Sequence, residues 1–432
     1  MKLNCTTLRH APALAALMTL VACGGGGGGG GTTGATSDGG AAAATGSATA
    51  AVPAAPAALA APAAPGSSIA LSAFSASVLR LDGQHLPDYA PQLPAHFAGV
   101  EAQDNTPAGT TGSPAIATLG RVLFYDKALS ISGTVSCASC HKQAEDFGDG
   151  TRFSTGFAGS LTGAHAMRLA NVRYYLPGTM FWDKRSSSLE AQSTQPVQNP
   201  IEMGFDAAHG GVAAAVQQLQ GLPYYRDLFV GAYGDPAINE QRIQGALAQY
   251  IRGMVSTHSR WDDAAAQVFD PTLPDKGFNK DLPGFTAQEN RGRQLFMANR
   301  AAGGQNCAAC HQPPSFALSN SGNNGLDAGE TRRLKSPSLK NVARSAAFMH
   351  DGRFSTLEQV IEHYSTGVQD GPGLDGRLKG PDGQPLRPNL SQEDKDALVA
   401  FLRTLSDPVL AADPRFSDPF KPQADVAAQL SQ

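Results

Sequence analysis

Cys137-Ala138-Ser139-Cys140-His141 and Cys307-Ala308-Ala309-Cys310-His311 are two C-x-x-C-H units in a chain of 432 residues. Two thiols with a histidine directly behind them raise three chemistries. Four cysteines could hold zinc, but zinc does not require a histidine after each pair. A thioredoxin-like dithiol exchanges electrons through one such pair and would not come twice. A c-type haem needs this spacing: the thiols add to the porphyrin vinyl groups, and the histidine is placed to ligate iron from one face. The doubling of the unit in matching contexts selects haem, so two covalently bound haem c groups are expected, on Cys137, Cys140 and His141 and on Cys307, Cys310 and His311.

Those contexts repeat. "GRVLF" (Gly120 to Phe124) precedes the first unit and "GRQLF" (Gly292 to Phe296) the second, at nearly the same interval. "LANV…FWDKRSSSLEAQ" follows the first, ending at Gln192, and "LKNV…FMHDGRFSTLEQV" follows the second, ending at Val360. Each repeat predicts an amphipathic helix leading into the attachment turn. The first runs over 115–125 with Leu119, Val122 and Leu123 on one side; the second starts at Thr286, where "TAQE" is a capping box. "SSLE" at Ser187 and "STLE" at Ser355 predict two further capped starts. A helix from Asn239 carries Ile243, Leu247, Tyr250 and Met254 at helical spacing, and a final one runs from the cap Ser391 through Leu398, Phe401, Leu402 and Leu405. Strand signals are few. The fold class expected is mainly α, two cytochrome c-like haem lobes related by internal repeat, preceded by a signal peptide and a disordered tether.

The remaining composition bounds the setting. A net charge of −4 gives no reason to expect nucleic acid as a partner. Lys2 and Arg9 followed by the apolar run from Ala11 to Ala22 read as an export signal over residues 1–22. "LVAC" resembles a lipoprotein cleavage site, making Cys23 the expected lipid anchor, with a Gly/Ala/Pro-rich tether over 23–68. The Pro/Gly-rich connection from Asp270 to Pro283 marks a boundary: a peroxide-reacting domain over 69–275, an electron-transfer domain over 276–410 and a tail over 411–432. The location expected is the periplasmic side of the envelope, on the outer membrane.

From about Gly120 to Asp407 the chain resembles the bacterial di-haem cytochrome c peroxidase / MauG family. The likeness rests on both C-x-x-C-H units, on "FWDKRSSSLEAQSTQPVQNPIEMG" (Phe181 to Gly204) and on "MHDGRFSTLEQVIEHY" (Met349 to Tyr364). It implies that the haem on His141 keeps an iron face where hydrogen peroxide reacts, and that the haem on His311 is six-coordinate and moves electrons. It also implies that Trp182 lies between the haems, that Gln192 and Glu202 are the distal residues at the reactive iron, and that Pro196 belongs to that pocket. Elementary chemistry fits these roles. Splitting peroxide needs a group that takes a proton from one oxygen and returns it to the other, which a carboxylate such as Glu202 can do. Gln192 can orient peroxide by hydrogen bonds without titrating. The bland alternatives are a solvated loop carboxylate, an exposed glutamine and a core tryptophan.

Ordinary members of the family place methionine on the second iron where this chain has Tyr364, whereas the MauG-like branch places tyrosine. An anionic phenolate stabilises oxidised iron, while methionine raises the potential. Tyr364 is therefore the expected ligand, with His363, Met349 and His350 open as alternatives and plain packing on the Leu357, Val360, Ile361 stripe as another. No distal histidine follows the first unit at the family's interval. His165, the histidine of that loop, stands where the family more often has an asparagine that helps hold calcium. That puts calcium in doubt, although Ser345 and Ala347 keep the positions of its carbonyl donors. The function expected is a MauG-like peroxidase passing oxidising equivalents to a small redox protein or a protein substrate. An ordinary cytochrome c peroxidase and a non-catalytic electron carrier are the rivals.

Overall fold

The computed structural model describes residues 68–176, 178–317 and 322–422. The expected signal segment, Cys23 and the tether up to residue 67 lie outside them. The described chain is helical, and its β pairing is confined to isolated bridges. No helix among the described residues is long and apolar enough to cross a membrane.

Six helices position the site: α1 (Pro114–Tyr125), α2 (Leu189–Ser193), α3 (Glu240–Arg252), α4 (Ala287–Met297), α5 (Leu357–Glu362) and α6 (Gln392–Arg403). Each start is set by a side chain that accepts a free N–H of the first turn. Ser113 accepts from Ile116 N, with Pro114 at the first helical position, and Asn239 accepts from Arg242 N. Thr286 and Glu289 form the reciprocal box anticipated at "TAQE", and Ser391 accepts from Asp394 N.

Two caps differ from the sequence reading, both in the same way. The cap of α2 is Ser188, not Ser187, and the cap of α5 is Thr356, not Ser355. The glutamates assigned to those boxes are used elsewhere. Glu190 pairs with Arg252 at the end of α3, and Glu358 pairs with Arg403 at the end of α6. An acid that reaches a neighbouring helix no longer closes its own N-terminus, so the start slips by one residue in both halves.

The two halves use one helix crossing. α1 packs on α3, and α4 on α6. A Cβ on Gly120 would lie 2.0 Å from the Ala246 carbonyl oxygen, and one on Gly292 would lie 1.9 Å from that of Ala397. Only glycine lets the backbones approach this closely. Beyond it Leu119, Val122, Leu123 and Phe124 fill one core, and Leu295, Phe296, Phe401 and Leu402 the other. Residues 69–254 supply the first core, joined by Leu410 and Phe416, and residues 261–405 supply the second.

The connection read as a boundary at 270–283 lies within the second core. Phe278 and Leu282 are buried there, Trp261 packs edge-on against Phe278 and Phe316, and Arg293 donates to the Phe278 carbonyl. The apolar core therefore changes over between Met254 and Trp261. Residues 411–422 return to the first half, where Arg121 donates to the Ser417 carbonyl and Tyr125 and Tyr250 donate to that of Phe416.

Candidate functional site

Both C-x-x-C-H units form a single tight turn. Cys137–Cys140 is one α-turn, Cys307–Ala309 one 3₁₀ turn, and in each the histidine N–H donates back to the first cysteine carbonyl. The histidine rings are held alike. His141 Nδ1 lies 3.1 Å from the Phe147 carbonyl, and His311 Nδ1 lies 3.3 Å from that of Phe316. Both phenylalanines have positive φ, 60° and 54°, which turns their carbonyls toward the rings. A proton donated from Nδ1 leaves the Nε2 lone pair for a metal. Burial lowers the pKa of both imidazoles, His311 being pushed down to about 4.

Neither cysteine pair is closed as a disulfide. Burial, reinforced by the neighbouring thiol, pushes Cys137 and Cys307 up to about 12. A thiolate is disfavoured there, whereas a thioether to porphyrin carries no charge. The residues present therefore fit a covalently attached haem at each unit.

In the second half, Cys307, Cys310 and His311 line a large cavity walled by Phe296, Leu339, Leu398 and Leu402. Tyr364 lines it as well, carried by a π-turn (His363–Gly367) that continues α5. Such wide turns recur at functional sites because they push a side chain out of helical register. Burial raises the Tyr364 phenol above its ordinary pKa. Of the other ligands considered, His363 is turned onto the Asn324 carbonyl through Nε2 at 3.0 Å. Met349 and His350 line the cavity, with the Met349 sulfur accepting from Asn324 Nδ2.

In the first half, Glu202 lies close enough to the cysteine pair to act electrostatically on both Cys137 and Cys140. Its backbone is fixed: Asn199 Oδ1 accepts from Glu202 N, and the Glu202 carbonyl accepts from Phe157 N. The carboxylate is half-buried and accepts no hydrogen bond among the described residues. Burial raises its pKa, and the Arg185 charge only partly opposes this. Gln192 sits in α2 with its amide likewise unengaged, and Pro196 is half-buried in the turn beyond. Trp182 belongs to the other cavity's wall. Its indole N–H donates to the His165 carbonyl at 2.8 Å, and its own carbonyl accepts from Lys335 N at 2.8 Å.

His165 is buried in the wall of that cavity, its Nδ1 at 3.1 Å from the Arg152 carbonyl. The Ala347 carbonyl accepts from the Ser345 hydroxyl, and no cluster of three His, Cys, Asp or Glu that could hold a metal occurs among the described residues. Calcium asks for six to eight oxygen donors.

Sequence reasoning passed over Lys335, Ser336 and Asn324. Ser336 Oγ donates to the Cys310 carbonyl and stands 3.3 Å from His311 Nδ1. The two Phe carbonyls had a usable signal, since each phenylalanine closes a short loop five or six residues after its histidine. Asn324 had none, because its loop follows no period.

A family model described as di-haem cytochrome c peroxidase matches residues 114–268 and 286–372. The methylamine utilization protein MauG of Methylorubrum extorquens is 31% identical over 330 residues, covering 72% of this chain and 84% of its own. The cytochrome c551 peroxidase of Nitrosomonas europaea is 27% identical over 335 residues, with 73% and 86% covered. Among solved structures, a MauG-like protein associated with microbial copper homeostasis superposes with a TM-score of 0.58 at 30% identity, over 77% of this chain and 98% of that one. A diheme peroxidase of Burkholderia thailandensis shares the fold at 23% identity and a TM-score of 0.55, with 74% and 93% covered.

Proposed function

The chain belongs to the di-haem cytochrome c peroxidase family, and from that premise we propose that it is a peroxidase of the MauG-like kind. Family membership makes it an oxidoreductase acting on hydrogen peroxide. The two halves are read as haem lobes of one repeat, the first reacting with peroxide and the second storing and relaying oxidising equivalents. One observation supports the assignment of the reactive half: Glu202 is a half-buried carboxylate whose charge reaches the first cysteine pair and which accepts no hydrogen bond among the described residues.

Cys137, Cys140 and His141 would hold a haem, which would supply the redox chemistry toward peroxide. The chain's own residues do the rest. The Glu202 carboxylate takes a proton from peroxide and returns it to the oxygen that leaves as water. Its raised pKa brings it nearer the working pH than an exposed glutamate would be. Gln192 orients the bound molecule through its free amide. Trp182, bonded to His165 on one side and Lys335 on the other, provides an oxidisable indole between the halves. Tyr364 would offer its phenol oxygen to an iron held by His311, and the outlet would be a small redox protein or an oxidisable protein surface. The N-terminal segment is read as a lipoprotein signal with Cys23 lipidated, placing the enzyme on the periplasmic face of the outer membrane; labelling with a radioactive fatty acid checks this.

One observation favours the electron-consuming cytochrome c peroxidases instead: Met349 lines the cavity that Tyr364 lines. Adding peroxide to the purified diferric protein without reductant separates the two. The MauG-like reading expects both haem spectra to change together and persist. Turnover only after half-reduction with an electron donor refutes it in favour of the second.

A further inference from the structure

Lys335 is 5% exposed, yet its ammonium meets no carboxylate among the described residues. It lies 3.3 Å from the Met180 sulfur and 3.9 Å from the centre of the Tyr175 ring. Lys340, five residues on, is the contrast. It is as deeply buried, but both oxygens of Asp262 stand 2.6 Å from its nitrogen. A buried ammonium without an anion is costly, and Lys335 is pushed down to about 7 by burial and by the nearby charge of Lys184. A thioether contact and a ring face do not neutralise a charge. The same side chain lines the cavity that holds Cys307, Cys310, His311 and Tyr364. A haem attached there would carry two propionate carboxylates, the kind of anion this ammonium lacks. Arg377, another cation of the wall, already pairs with Asp375 at 2.6 Å.

We propose that Lys335 is the counter-ion of a propionate of the second haem, an inference that rests on the di-haem reading above. The ammonium donates to the propionate while Tyr175 and Met180 hold it from the protein side. Its backbone ties this charge to both redox elements. Lys335 N donates to the Trp182 carbonyl, and the next residue, Ser336, donates to the Cys310 carbonyl and touches the His311 ring. Removing the charge should therefore change the second haem electrically without touching its axial ligands.

The test compares holoprotein carrying Lys335→Met, Lys335→Gln and Lys335→Arg with wild type. Midpoint potentials of both haems and the propionate-bending region of the resonance Raman spectrum are read. In the Met and Gln variants the second haem is expected to become harder to reduce. At a fixed applied potential its oxidised-to-reduced ratio should rise on the order of tenfold, the scale of one lost charge in a poorly screened interior. Its propionate band should move, the first haem should not, and Lys335→Arg should return both readings toward wild type. An unchanged potential and band in the neutral variants, or a change confined to the first haem, overturns the proposal. Peroxide consumption by wild type is measured alongside: its absence sinks the peroxidase reading while leaving the propionate assignment to be judged on the spectra.

Discussion

Gly120→Ala adds one methyl group at the α1/α3 crossing, and the structure sets its effect. The new Cβ would lie 2.0 Å from the Ala246 carbonyl oxygen, 2.6 Å from the Ala246 carbonyl carbon and 2.9 Å from Tyr250 Cβ. None of these is the loose end of a side chain, so the helices must part. Overpacking of this kind costs about 1–3 kcal/mol, and contacts with backbone belong at the upper end. Alanine returns about 1 kcal/mol of helix propensity, which leaves a net loss of about 2 kcal/mol. Gly292→Ala should behave the same way in the second half, where the distances are 1.9, 2.5 and 2.8 Å to Ala397 and Phe401. Gly245→Ala is the control. It lies inside α3 with only the Tyr233 hydroxyl near, at 3.5 Å, so the propensity gain is unopposed and the variant should be more stable by about 0.5–1 kcal/mol. Urea midpoints of the holoproteins followed by far-UV circular dichroism read all three. A Gly120→Ala or Gly292→Ala protein as stable as Gly245→Ala would mean that the helices do not cross this closely.

Glu202→Gln should lower the second-order rate of peroxide reaction by about 10²–10⁴-fold with the resting spectrum intact. The wild-type rate should rise with pH through a pKa above the ordinary glutamate value, because burial raises it and the ionised form is the base; stopped-flow profiles in which the variant keeps that limb would reject the role. Tyr364→Phe should alter the low-spin haem spectrum, and an unchanged spectrum excludes the phenol as ligand. Asp146 is buried and held up to about 6, chiefly by burial against the opposing charges of Arg344 and Arg168. Its folded pKa exceeds the unfolded one, so the folded chain binds the extra proton and the group's contribution falls as pH rises from roughly 4 to 6. Asp146→Asn should lack that decline in urea midpoints over the same window.

What the sequence made legible is what short-range physics controls. The caps at Thr286 and Ser391, the helix beginning at Asn239 and the faces of α1 and α3 follow from spacing within one or two turns. The caps at Ser188 and Thr356 were misplaced because Glu190 and Glu358 answer to arginines 62 and 45 residues away. The connection at 270–283 looks like a linker by composition, yet Phe278 and Leu282 are anchored by partners as distant as Phe316 and Phe401 in the same core. Lys335 has no local signal for a similar reason: that its ammonium meets no carboxylate among the described residues depends on side chains far away in sequence, such as Tyr175 and Met180. The distal residues were legible only through a family pattern, since neither Gln192 nor Glu202 makes a local side-chain contact that spacing could reveal.

Aligned on their caps, the two halves begin alike and continue differently. With Ser188 set on Thr356, Glu190 falls on Glu358, and Trp182 and Phe181 fall on His350 and Met349, the latter pair sharing positive φ of 67° and 70°. The halves then part. α5 runs on into a π-turn that delivers Tyr364 to the cavity wall, whereas α2 ends at Ser193 and the chain turns away toward Glu202. In this register the residue facing Tyr364 is Pro196. A proline has no N–H to continue a helix and no side-chain atom able to ligate a metal. The proline stands where the longer helix of the second half continues, and in the first half the chain beyond it runs on to Glu202 instead.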